Sequence, residues 1–335
     1  MTRLKLSSIA ALTALLAAAG VPAATIAAAP ASAATTTYTI IDLGSLGGGV
    51  TNATAINASG QVTGASTLHK VGVNHAFLWT NGKMTDLGGL GEFMGVALSA
   101  GAAINASGQV VGTATDSRGD DVAALWNGRK VTPLPGLDGT AVGINDSGQI
   151  VGGAGGAFVI TDGTQTFLPP PSSNNVCSAV AINNNGQVLG DCAGEQPGGF
   201  GLTGLGVVWN NGTPTVLPTL GGAEGAFVTA INNNGQVVGT SETSTGAEDG
   251  FLSSNGTITD LGPTFSPAAI NDSGVIVGGQ FVDSGGTLQN LNNLIPAGSG
   301  FQIQSATGIN DNGQIIANAT DTATGQQHAL LLTPS

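Results

Sequence analysis

The chain of 335 residues carries 55 glycines, only 8% charged residues and a net charge of −13. Its seven Lys and Arg residues all lie at or before position 130. Phosphate neutralisation needs clustered basic side chains, so the composition argues against nucleic acid as a partner and against an anionic membrane surface. The acidity serves solubility, and abundant Gly, Asn, Thr and Val favour strands and turns over helices.

The N-terminus has Arg3 and Lys5, then an apolar run from Ile9 to Ala19, then Ala31-Ser32-Ala33. That run is too short to span a bilayer, and the small residues suit a signal peptidase. Residues 1–33 are therefore expected to be a signal peptide, and 34–335 a single extracellular domain of net charge −15 once Arg3 and Lys5 are removed. The alternative, a membrane anchor, lacks flanking stop-transfer charges. No later stretch is apolar enough to span a membrane.

Next comes "YTIIDLG" (Tyr38–Gly44), a short apolar run with Leu43 and no adjacent partner. From there one pattern recurs. Ile-Asn-x-x-Gly begins at Ile56, Ile104, Ile144, Ile182, Ile231, Ile270 and Ile309, at spacings of 48, 40, 38, 49, 39 and 39 residues. These mark units 1 to 7, each parsing into four apolar runs, a to d, separated by turn residues. In unit 5 the runs are "FVTAI", "QVVGT", "GFLSS" and "TITDL", with turns at Asn232–Gly235 and Asn255-Gly256. Asn and Gly tolerate the positive φ of hairpin turns. Run c ends on Trp79, Trp126 or Trp209 in three units, and run d centres on Leu87, Leu134, Leu168, Leu217, Leu261 or Leu291.

Unit 7 stops after run c, "HALLLTPS" (His328–Ser335), so the orphan run at Tyr38–Gly44 supplies its missing run d. Such a split closes a ring and protects its edge strands. The expected fold is all-β, a seven-bladed β-propeller of four-stranded blades closed by the N-terminal strand completing the last blade. The residue before each repeated Ile is Ala55, Ala103, Gly143, Ala181, Ala230, Ala269 or Gly308, small enough for a run crowded at the axis. A β-solenoid, the competing architecture, would need caps rather than a split unit.

The turn itself reads as structural, represented by Asn145 and Gly148. Asn at a turn's first position bonds its own backbone, and Gly supplies the left-handed conformation. Calcium needs several carboxylates, whereas the second position is Ala58, Ala106, Asn184 or Asn233 in four of the seven copies. Cys177 and Cys192, the two cysteines, bracket the unit 4 turn nine residues before and six after Gly186. In an oxidising compartment a disulfide is expected, with two buried thiols as the alternative. Two Cys and the scattered His69, His75 and His328 do not make a zinc site, and no cofactor is expected.

"AINASGQVVG" (Ala103–Gly112), "NHAFLWTNGKMTDLGGLG" (Asn74–Gly91) and the Asp-Leu-Gly runs at Asp42, Asp86 and Asp260 resemble the HAF repeat family of mainly bacterial extracellular proteins. The resemblance covers nearly all of the mature chain and implies secretion without an established chemistry. The name-giving tripeptide is complete only at His75-Ala76-Phe77; His328-Ala329-Leu330 is partial, and Val122-Ala123-Ala124 and Asp249-Gly250-Phe251 depart from it.

Nucleophilic catalysis needs a base beside a nucleophile; ring closure would bring His328 into the blade next to His69 and His75. The sole tyrosine, Tyr38, reads as packing. Sialidase-like propellers use three arginines, and the mature chain has only Arg118 and Arg129. Glycoside hydrolysis needs two facing carboxylates, but Asp120-Asp121 and Glu248-Asp249 fall in variable loops and read as solvated. Arg118-Gly119-Asp120 spells an integrin tripeptide on a b–c loop. The candidate ligand residues, all on the b–c and d–a loop face, are His75, Arg118, Asp120, Asp121, Glu195, Glu242, Glu248 and Asp249. The leading expectation is a monomeric, secreted, non-enzymatic scaffold that binds an extracellular glycan or protein surface. The alternatives are a polysaccharide hydrolase or lyase using loop carboxylates, and a structural cell-envelope protein.

Overall fold

The computed structural model describes residues 36–70, 72–134, 140–153, 155–173, 175–195 and 202–335, with only the backbone of Glu195, Leu202 and Thr203. The expected signal segment, 1–33, lies outside the described residues. The rest is all-β apart from one 3-10 turn at Leu291–Asn293.

Four-stranded antiparallel meanders follow one another along the chain. Unit 1 comprises Gly47–Ile56, Val62–Leu68, Asn74–Thr80 and Lys83–Gly88, and unit 2 Ser99–Ile104, Val110–Thr115, Asp121–Asn127 and Lys130–Pro133. Pairings fall into six sheets, five of four strands and one of eight. The eight-stranded sheet joins units 4 and 5 through a single parallel pair, Gly204 with Gly225. In unit 7, Phe301–Ile309, Ile315–Asp321 and Gln327–Pro334 are completed by Tyr38–Asp42, which runs antiparallel to the last strand with Tyr38 opposite Pro334.

The turn chemistry is as the residues dictate. Both central residues have positive φ in the c–d hairpins at Asn81-Gly82, Asp162-Gly163, Asn211-Gly212 and Asn255-Gly256, the conformation whose twist matches the flanking strands. Strand a carries a bulge in units 1 to 5 and in unit 7, one residue before the small position, as between Ala53 and Ala55 or Ala306 and Gly308. Strand b carries a glycine opposite this stretch in units 1 to 6, and Ala317 in unit 7. A Cβ on Gly64, Gly112, Gly152, Gly190 or Gly239 would lie 2.0–2.3 Å from a strand a carbonyl oxygen, and one on Gly278 2.0 Å from the Ser266 carbonyl oxygen that precedes strand a, so the backbones approach too closely there for any side chain.

The core lies between sheets, in seven clusters. Each is shared by consecutive units, as where Val111, Ala123 and Leu134 of unit 2 meet Ala141, Ile144 and Phe158 of unit 3. The cluster of Leu43, Ile316 and Leu331 from unit 7 with Val62, Phe77 and Trp79 from unit 1 belongs to the same series. Trp126 and Trp209 are fully buried and Trp79 nearly so, each filling one such seam. Tyr38 is buried as expected, and burial raises its phenol pKa.

Cys177 and Cys192 face each other on strands a and b of unit 4 and form the expected disulfide. In unit 1 the corresponding positions are Thr51 and Ser66, whose hydroxyls hydrogen-bond at 2.9 Å. The b–c connection of unit 4, at about 191–206 the longest such segment in the sequence and so expected as a loop, is strand in its described residues. Val188–Glu195 and Leu202–Asn210 pair up to Glu195 opposite Leu202, because alternating Leu and Gly residues continue the pairing.

Candidate functional site

Two ends of the strands offer sites. At one end lie the a–b turns. Asn145 accepts the Gln149 N–H at 2.9 Å and the Ser147 hydroxyl at 2.9 Å through Oδ1. Its Nδ2 donates to Gln149 Oε1 at 2.8 Å and to the Asn183 carbonyl of the next unit at 3.2 Å. All seven asparagines hand on this last bond. Asn57 donates to the carbonyl of Asn105, then Asn145, Asn183, Asn232, Asn271 and Asn310 follow in turn, and Asn310 donates back to Asn57, at 2.9–3.3 Å. None is more than 5% exposed. The asparagine thus links turns as well as forming its own, a role the sequence reading did not assign. Its partner Gln recurs at positions 61, 109, 149, 187, 236 and 314, with Val275 in unit 6, and that recurrence was the available signal.

A second belt lies outside the first. The N–H of Ala106 is accepted by Asp146 Oδ1, that of Asp146 by Asn184 Oδ1, then Asn233, Asp272 and Asp311 follow, at 2.7–2.9 Å. These residues and the repeated isoleucines line a cavity of about 200 Å³ where the units converge. Among the described residues no group of three or more His, Cys, Asp or Glu is arranged to hold a metal.

At the other end lie the b–c and d–a connections, where the predicted ligand residues are dispersed. His75 Nδ1 bonds Asp86 Oδ1 at 2.8 Å and His328 Nδ1 bonds Asp42 Oδ2 at 2.9 Å. Asp86 and Asp42 also accept the N–H of Gly88 and Gly44. The His of His-Ala-Phe therefore clasps the Asp of Asp-Leu-Gly across strands c and d. His69 packs instead against Gly47, so the three histidines have separate neighbours and form no joint site.

Asp249 occupies the same position in unit 5 and faces Asp260. It was read as a solvated loop acid; it is 8% exposed, with Oδ1 lacking a partner. The strand c register turns its side chain inward. Burial, then the charge of Asp260, raises its pKa.

Arg118 Nε lies 2.9 Å from Asp116 Oδ2 and 3.3 Å from Asp120 Oδ2. The Arg and Asp of the tripeptide are thus drawn together rather than presented apart. Burial acts to raise the Asp116 pKa, but the hydrogen bonds from Arg118 and from the Asp120 N–H outweigh it and lower it. Asp121 accepts the Thr115 hydroxyl at 2.9 Å. Glu242 accepts the Glu224 N–H at 2.7 Å and stands opposite Glu248 across the strands. The Glu195 side chain lies outside the described ones. Beside Arg118 sits a feature the sequence reading missed, a turn at Phe93–Val96 in which Met94 is 88% exposed with φ +52°. Exposed Phe93 packs against Gly119.

Between units 4 and 5, Asp191 Oδ1 accepts the Val228 N–H at 3.0 Å. Burial pushes its carboxyl pKa up to about 6, against the lowering effect of that bond. Asn318 serves the same position between units 7 and 1, accepting from the Ala53 N–H at 2.9 Å and donating to the Ala53 carbonyl at 3.3 Å.

No family model matches the sequence, and no curated protein matches it significantly. Among solved structures, TolB from Acinetobacter baumannii aligns at 14% identity and TM-score 0.46 over 83% of this chain, which spans 64% of TolB's length. A gluconolactonase from Xanthomonas campestris aligns at 11% identity and TM-score 0.42, over 88% of this chain and 89% of its own. The β-propeller domain of the Trilobed protease from Pyrococcus furiosus, of open velcro topology, aligns at 8% identity and TM-score 0.51, over 84% of this chain and 92% of its own. At 8% identity the likeness to the Trilobed protease domain is one of fold, and with the strand order it makes this chain an all-β protein of the β-propeller kind, built from four-stranded blades.

Proposed function

We propose that the chain is a secreted, non-enzymatic binding scaffold, a seven-bladed propeller of HAF-like repeats closed by the strand Tyr38–Asp42. The circuit of seven asparagines, which returns from Asn310 to Asn57, supports the blade count and the closure. The shared core of units 7 and 1 supports it independently. The disulfide fits an oxidising compartment, and among the described residues no helix is long and apolar enough to cross a membrane.

The observation that carries the binding role is the turn at Phe93–Val96, seated against the Arg118–Asp120 turn. Met94 is almost wholly exposed in a left-handed conformation that costs a non-glycine residue about 1 kcal/mol. An apolar tip held against both solvation and backbone preference supports an interaction role for this surface. A glycan array and a panel of immobilised extracellular proteins test the reading. Binding that Phe93→Ser with Met94→Ser removes, at unchanged melting temperature, supports it. Turnover of any polysaccharide that falls when Asp120→Asn or Glu248→Gln is introduced overturns it in favour of the hydrolase.

A further inference from the structure

The outer belt of the a–b turns is incomplete, and its gap has a defined chemistry. In five successive units the N–H of the second turn residue is capped by the side chain of the next unit. The series stops at Asp311, because the next two residues in the belt are Ala58 and Ala106, whose methyl groups accept nothing. Among the described residues the N–H groups of Asp311 and Ala58 consequently have no acceptor. Asp311 Oδ1 takes the Asp272 N–H at 2.8 Å, while Oδ2 takes no donor among the described residues. Ala58, Ala106, Asp272 and Asp311 all line the same cavity of about 200 Å³ as the repeated isoleucines.

The molecule contains the template for what fills such a gap. At Asp146 the neighbouring carboxamide of Asn184 does so twice: its Oδ1 accepts the Asp146 N–H at 2.9 Å and its Nδ2 donates to Asp146 Oδ2 at 2.8 Å. Asn233 and Asp272 form a related pair, both the backbone N–H and Nδ2 of Asn233 reaching the Asp272 carboxylate at 2.8 Å. Asp311 presents the N–H and carboxylate of Asp146 without the carboxamide.

We propose that the cavity mouth between Asp311 and Ala58 is a binding site for a ligand bearing a primary carboxamide, which takes the place the Asn184 side chain occupies beside Asp146. The amide oxygen accepts from the Asp311 N–H and its nitrogen donates to Asp311 Oδ2. A carboxylate is rejected by the negative charge of Asp311, and an ammonium has no group to accept the N–H. The site lies at the opposite end of the strands from the Phe93–Met94 tip, so it stands or falls independently of the loop-face reading.

The test is a nitrogen-15 NMR titration of the mature chain with acetamide, and in parallel with acetate and glucose. Saturable shifts of the Ala58 and Asp311 amides with acetamide alone are expected. Ala58→Asn supplies the missing carboxamide from within and should weaken acetamide by about tenfold or more, the scale of a lost hydrogen-bonded contact. Asp311→Ala removes the acceptor and should have a comparable effect, so the proposal remains testable should one variant fail to fold. No saturable shift with acetamide, an equal response to acetate, saturation by glucose in its place, or undiminished binding in folded variants overturns the assignment.

Discussion

The a–b turns and the b–c connections stand at opposite ends of the same strands, yet the polar residues at the two ends do opposite work. In the turns, a buried asparagine holds its own hairpin and its neighbour's, so every copy depends on the next. On the loop face, Arg118, Asp120 and Glu248 are exposed, and the ion pairs of Arg118 with Asp116 and Asp120 stay within one turn. One end ties consecutive units together, and the other is free to diverge. The lesson is that repetition of a polar residue signals structure when its partners also repeat, and that specificity is stored where they do not.

The strongest way to break this contrast is Asn145→Ala. It strands the Gln149 N–H and removes one of the two donors to the Asn183 carbonyl, which keeps the Gly186 N–H, and urea unfolding should show a loss of roughly 2–3 kcal/mol. A loss below about 1 kcal/mol would mean that the circuit is not what holds the turns. Replacing both Cys177 and Cys192 by Ser opens a cross-link of sequence separation 15, and the loop-entropy argument gives a loss of about 3 kcal/mol in the same assay.

Asp191 sharpens the comparison through pH. Its folded pKa, about 6, lies above the ordinary carboxylate value, so the native state binds a proton more readily than the unfolded chain. Its contribution is therefore favourable at low pH and is lost as pH rises from about 4 through 6, by about 2 kcal/mol after allowing for partial exposure. Asp191→Asn, which copies Asn318, should remove that fall and be more stable than the native chain at pH 8. Unfolding measured at pH 4.5 and pH 8 checks the sign. The smallest effect belongs to the loop face: Arg118→Ala should move stability by no more than about 0.5 kcal/mol, as for an exposed ion pair. A larger change there would erase the distinction between the two ends.

Much of the fold was legible in the residues. Asn-x-x-Gly named the turns, Trp79, Trp126 and Trp209 named the packed strands, and the run at Tyr38–Gly44 named the strand that unit 7 lacks. The site was legible only in part. His75 and Asp86 were noticed separately, although Asp-Leu-Gly occurs only where run c offers His75, His328 or Asp249; their pairing needed the cross-strand register. Asp249 was misjudged because a loop acid and a strand acid look alike in sequence.

By itself the sequence determined the repeat, its strand period and its turns, because these depend on neighbours a few residues apart. Tertiary structure alone decided that Asn310 meets Asn57, that Asp249 is buried, and that the belt residue following Asp311 is Ala58. Those contacts join residues separated by whole units or by nearly the full chain, and their chemistry exists only once the blades are brought around to meet.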